Sequence, residues 1–197
     1  MKKLNTIKFS FLTLIILSIT YGCGGSKTVV KEVKTNQENV VEVITPCKGG
    51  NYESNNKFFR GTANGSSINM NMAKKIALRS ANTFLATDIG VHITQVADDY
   101  SGQTTSQTNS VFREKLQDST ESVVEQSVNS SRTICERTTQ DKSTGIYTVY
   151  ISREAPVDGV FEKLNQTLSS DEEIRVNYDY EKYKETFDKI MEKRKKE

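Results

Sequence analysis

Hydrophobic positions take three textures along the chain. From Phe9 to Ile19 they form a nearly continuous run, FSFLTLIILSI. From Gly24 to about Asn56 they thin to two valine patches, Val29-Val30 and Val40-Val41-Glu42-Val43-Ile44. From Lys57 onward they become periodic, and this part predicts the fold. Lys57-Phe58-Phe59-Arg60-Gly61-Thr62-Ala63 reads as a first strand that ends in a tight turn at Asn64-Gly65. Asn69 is a good N-cap for the helix that follows. In that helix Ala73, Ala77, Ala81, Leu85 and Ile89 recur every four residues, with Ile76 and Phe84 beside them. The row continues in Ile93, Val96 and Tyr100, so the helix is expected to run to about Ala97. Alanines on the contact ridge allow the helix axis to approach a sheet closely.

A polar stretch, Ser101 to Ser110, reads as a loop, and Val111, Leu116, Val123, Val124 and Val128 mark a second helix. Strands are expected at Ser131 to Thr138 and Thr144 to Arg153, joined as a hairpin through Gln140-Asp141-Lys142-Ser143. Val157, Val160, Phe161, Leu164 and Leu168 predict a third helix opening near Pro156. A final helix, from about Tyr178, carries Tyr180, Tyr183, Phe187, Ile190 and Met191 and closes on Lys193 to Lys196, cations that suit the negative end of its dipole. The order implies an α+β fold, with a small antiparallel three-stranded sheet packed by a long helix, additional helices and a C-terminal helical tail. Three strands are the minimum for independent stability.

The first texture is a targeting signal rather than part of this core. Lys2, Lys3 and Lys8 precede the apolar run, which spans roughly 16 Å as a helix, about half a ~30 Å hydrocarbon core. That length suits the core of a signal peptide. The segment closes at Thr20-Tyr21-Gly22-Cys23 and resembles a bacterial lipoprotein signal, in which a small residue precedes the cysteine that becomes acylated. The resemblance implies cleavage between Gly22 and Cys23 and lipid attachment at Cys23. The domain plan is thus a signal peptide at 1–22, a flexible tether at 23–56 and the α+β domain at 57–197. Two or more acyl chains give stable anchoring, where one gives only marginal binding.

Cleavage changes the charge. Lys+Arg number 27 and Asp+Glu 25, but three of the lysines leave with the leader, so the mature chain is one basic residue short of neutrality. Nucleic acid is not an expected partner; the membrane, through the lipid, and envelope proteins or further copies of the chain are. A single His and no Trp argue against a histidine-based metal site or triad. Cys47 and Cys135 would lie in a compartment where disulfides persist, and they are candidates for a bridge, with two separate thiols as the alternative.

The remaining candidates for chemistry are weaker. Gly61-x-x-x-Gly65 before a helix resembles a phosphate cradle, but it lacks the Lys-Ser/Thr of a P-loop and the G-x-G-x-x-G of a dinucleotide site. A small-ligand-binding or hydrolytic protein using this loop, or the carboxylates of Asp98-Asp99 and Asp171-Glu172-Glu173, is the alternative function. No catalytic residue, metal ligand or cofactor is assigned. His92 reads as a surface or half-buried polar residue. Asp118-Ser119-Thr120 is similar to a short periplasmic O-glycosylation pattern, with Ser119 as the acceptor.

FFRGTANGSSINMNMAKKIALRSANTFLATDIG, Tyr100, ICERTTQDKSTGIYTVYISRE and the tail VNYDYEKYKETFDKIMEK together resemble the twenty-kilodalton Helicobacter membrane-associated lipoprotein family, in its Bacteroidetes-type members. The resemblance implies a β-α-β-β core of dodecin-like shape, an envelope location and a structural or assembly role without catalysis. The address implied is the cell envelope, at the outer membrane and facing the periplasm.

Overall fold

The computed structural model describes residues 44–103, 108–175 and 178–194. A 3-10 turn at Gly50–Tyr52 precedes β1 (Phe58–Ser67), α1 (Met70–Gly102) and α2 (Thr108–Asn129). The hairpin strands β2 (Arg132–Gln140) and β3 (Tyr147–Pro156) follow, then α3 (Val157–Ser170), the single turn α4 (Glu172–Arg175) and α5 (Tyr180–Lys193). The fold is α+β: a three-stranded antiparallel sheet of order β1-β3-β2 packed against the long α1. The stretch read as a signal peptide, with Gly22 and Cys23, and most of the stretch read as a tether lie outside the described residues.

The expected hairpin is present, and its turn explains its residues. The Asp141 carboxylate accepts from the Ser143 hydroxyl (2.6 Å) and from the backbone N–H groups of Ser143 and Thr144. Gly145 supplies the positive φ of 72° that closes the turn. β3 becomes the central strand because β1 pairs along its other side, from Phe58 opposite Pro156 to Ser67 opposite Tyr147. On β2 the register shifts between Thr133 and Cys135, a bulge that kinks this edge.

β1 does not stop at the expected turn. Asn64 and Gly65 lie inside the strand, which continues to Ser67. The two glycines of β1 serve packing instead. A Cβ on Gly61 would sit 2.2 Å from the Ala81 carbonyl oxygen, and one on Gly65 would sit 2.5 Å from the Ala73 carbonyl oxygen. α1 therefore lies directly on β1, running antiparallel to it. Its cap is as expected, the Asn69 side chain accepting from the Met72 N–H. The helix then runs five residues past the expected end, to Gly102, because Val96, Ala97 and Tyr100 remain buried against the later helices.

Two apolar clusters result. The smaller joins Ala73, Ala77 and Ala81 to Val149 and Ile151 between helix and sheet. The larger is built from Leu85 to Tyr100 of α1 with α2, α3 and α5, around Phe161, Leu164, Tyr183 and Phe187. Ile76 and Phe84 depart from the expected stripe: they are 40% and 57% exposed. The alanine row holds α1 so close over β1 that the row one residue earlier overhangs the edge of the sheet.

Candidate functional site

The face of the sheet turned away from α1 carries the chain's polar connections. On β3 it presents Tyr150, Ser152 and Glu154, and on β1 Arg60, Thr62 and Asn64, by the alternation of side chains along a strand. The buried Glu154 carboxylate accepts from Arg60 Nε at 2.9 Å and from Arg132 Nη2 at 2.7 Å, which ties both edge strands to the centre. A carboxylate removed from water needs such partners to remain charged. The Thr62 hydroxyl donates to Ser152 Oγ at 2.8 Å in the same layer.

The segment from Thr45 to Lys57, at the end of the stretch read as a tether, crosses this face. Cys47 and Cys135 are both buried and form a disulfide with their Cα atoms 5.7 Å apart, fastening the segment to β2. Tyr52 C=O accepts from Thr62 Oγ1, and Glu53 C=O accepts from Arg60 Nη1. Of the two readings left open for these cysteines, the bridge is the one present. It closes a span of 88 residues that contains β1, α1 and α2. In chain-entropy terms a loop of that size is worth about 4.6 kcal/mol.

A second fastening was not legible in the sequence. Asp88 on α1 accepts from the Ser54 hydroxyl at 2.7 Å and from the Arg194 guanidinium at the end of α5. Arg194 also lies over the Phe59 ring, 4.9 Å from its centroid. The half-buried His92 stands beside this knot, its Nδ1 2.8 Å from the Asp88 carbonyl oxygen and its ring edge-on to Phe59. The Ser54 hydroxyl meets the carboxylate directly and no imidazole, so the group is an anchor for both chain ends rather than an activated nucleophile.

The other sequence candidates fall apart from one another. Gly61 and Gly65 form no loop: they lie within a strand, beneath α1, and this corrects the expected turn. Asp98 pairs with Arg113 at 2.6 Å on the α1–α2 surface, and Asp171 follows α3 with Lys115 3.9 Å away. No grouping of three or more potential metal ligands occurs among the described residues. The Ser119 hydroxyl, half-buried on α2, donates to the Lys115 carbonyl at 2.8 Å. Of the tail tyrosines, Tyr183 is fully buried and Tyr180 is partly exposed. Burial pushes the Tyr183 and Tyr178 hydroxyls well above their ordinary range; Tyr178 and Tyr100 raise Tyr183 further, and Tyr100, Tyr180 and Asp179 raise Tyr178. These phenols belong to a core.

Open surfaces among the described residues include two beside α1. A groove of about 940 Å³ runs between α1 and α2, floored by Leu78, Ala86, Val124 and Val128, with Lys75 and Arg79 on one wall and Glu121 and Glu125 on the other. A cleft of about 520 Å³ opens beside β1, between Phe84 of α1 and Pro46 of the crossing segment. Among the described residues no helix is long and apolar enough to cross a membrane. No family model, no curated protein and no solved structure matches the chain.

Proposed function

We propose that the protein is a lipid-anchored lipoprotein of the bacterial cell envelope, held through Cys23, whose α+β domain has a non-enzymatic role in assembly or protein interaction. The Cys47–Cys135 disulfide carries this reading, because such bridges persist in oxidising compartments outside the cytosol. The basic, apolar and Gly22-Cys23 sequence of the N-terminus supplies the anchor. The resemblance to the twenty-kilodalton lipoprotein family supports the same role, at the outer membrane and facing the periplasm. The domain's polar groups support it too: those near one another hold chain segments together, and the surfaces left open are grooves between elements.

Mass spectrometry of the native N-terminal peptide tests the anchor. The expected species begins at Cys23 and carries a diacylglyceryl thioether and an acylated amine. Globomycin should block its formation, and Cys23→Ser should move the protein out of the membrane fraction. An unmodified N-terminus, or a Cys23→Ser protein that stays with membranes as the wild type does, would falsify the reading.

A further inference from the structure

The two edges of the sheet are not equivalent. The β2 edge is bulged and carries Arg132, Glu136 and Arg137, the features that keep an edge strand from pairing with another chain. The β1 edge has neither bulge nor charge between Thr62 and Ser67. Its outward backbone groups can be followed residue by residue. Phe58 N–H donates to the Asn55 side chain and Phe58 C=O accepts from Asn55 N–H, at 3.0 and 2.9 Å. Arg60 N–H donates to Ser54 Oγ at 2.7 Å, and Arg60 C=O lies 3.2 Å from the same oxygen, whose proton goes to Asp88. Outward groups recur at every second residue of an antiparallel strand, so Thr62, Asn64 and Ser66 face the same way. Their backbone groups have no partner on that side among the described residues. Three donors and three acceptors thus stand in a row at strand spacing.

The Thr62–Asn64 part of this row lines the cleft beside β1. Phe84 also lines it, and the exposed Ile76 lies two turns earlier on the same face of α1; among the described residues Lys48 is the one charged residue lining the cleft. We propose that this edge accepts an extended segment of a partner protein as a fourth strand. The segment alternates, with apolar side chains toward Ile76 and Phe84 and an acidic one toward Lys48.

Sterics select the occupant. The β1 edge of a second copy, paired antiparallel, would bring its own α1 onto the same face, because α1 lies directly on β1. Paired strands are about 4.8 Å apart, whereas packed helices need about 8–10 Å between axes. The added strand must therefore arrive without a helix above it, as a bare segment does. Charge complementarity with Lys48 sets its sign. From the preceding reading this takes only that the protein works by binding other proteins, and it does not involve the lipid, so the two tests fail separately.

The test uses the native protein purified in mild detergent, which holds it whether or not it is acylated, and a labelled, blocked hexapeptide of alternating valine and threonine with one threonine replaced by glutamate. Saturable binding is expected, with amide exchange at Thr62, Asn64 and Ser66 slowed at least roughly tenfold and that at Ala63 and Gly65 unchanged. The lysine version of the peptide should bind about threefold or more weakly, in line with the charge at Lys48. Asn64→Pro should abolish binding by removing an outward N–H. Phe84→Lys, at an exposed position that leaves the core intact, should weaken binding about tenfold, while Val91→Lys on the same helix should not. Three results would overturn the proposal: no saturable binding up to roughly millimolar peptide, binding indifferent to Phe84→Lys, or edge amides already protected without peptide. Protection that grows with protein concentration would assign the edge to self-association and equally sink it.

Discussion

The two halves of α1 exclude water by opposite means. The first half meets the sheet through Ala73, Ala77 and Ala81, and where it crosses Gly61 and Gly65 the contact is backbone against backbone. The second half presents Leu85, Ile89, Ile93, Val96 and Tyr100 to α2, α3 and α5, where large side chains fill the space between helices. One four-residue row serves both. The first half tolerates no added volume, and the second depends on volume already there. The close approach has a consequence at the surface, since it leaves Ile76 and Phe84 over the edge of β1 instead of inside.

The largest effect is expected from breaking the first half. Gly61→Val puts a branched carbon where the Ala81 carbonyl oxygen and the Leu85 nitrogen already lie, at 2.2 and 2.5 Å from even a single Cβ. Both are helix backbone, so no side chain can turn away, and α1 must lift from the sheet. A loss of about 3 kcal/mol or more is expected, read as a lower urea midpoint or as failure to fold. An unchanged midpoint would show that α1 does not rest on β1 in this way.

The second half can be probed through its buried phenol. The Tyr183 hydroxyl has no hydrogen-bond partner among the described residues, and burial, followed by the nearby Tyr178 and Tyr100, raises its pKa above the ordinary value of 10.0. The folded state therefore keeps this proton to a higher pH than the unfolded chain does. Its contribution is fully present below about pH 10 and falls as pH rises further, by up to about 1.4 kcal/mol per unit. Tyr183→Phe should be neutral or slightly stabilising at pH 7, since it deletes an unpaired buried hydroxyl. It should also flatten the loss of stability between pH 10 and 11. Urea midpoints across that interval decide; an equally steep decline in the variant would mean that the phenol is hydrated in the folded protein.

The same contrast governs what could be read in advance. Periodicity located α1, the hairpin, α3 and α5, because their burial follows their own local patterns. It misjudged Asn64-Gly65, which taken locally signals a turn; the glycine is there to admit a helix that only the tertiary structure brings. Ile76 and Phe84 were misplaced for the same reason, since the width of a buried stripe depends on how near the facing surface lies. The knot of Ser54, Asp88 and Arg194 joins residues 34 and 106 positions apart and has no local signature. Cys47 and Cys135 were visible as candidates, but whether they meet depends on the path of the segment before β1. The β1 edge was invisible altogether, because being an edge is a property of the order β1-β3-β2 and not of Thr62-Ala63-Asn64-Gly65.

The smallest expected effect sharpens the comparison most cleanly, because it repeats a glycine replacement in the other half of the same helix. Gly90 lies where α1 passes α2, and the nearest atom to an added Cβ is Val124 Cγ2 at 3.9 Å, an ordinary contact. Nothing there needs a bare backbone, while glycine in a helix interior leaves the unfolded chain with more freedom to lose. Gly90→Ala should therefore stabilise by about 0.5–1 kcal/mol, a small upward shift in the urea midpoint. A destabilised variant would mean that α2 sits closer to α1 than 3.9 Å allows, so that the second half too is limited by backbone approach. With a gain at Gly90 and a collapse at Gly61, the division of α1 into a part that excludes volume and a part that is filled by it would rest on one chemical change made twice.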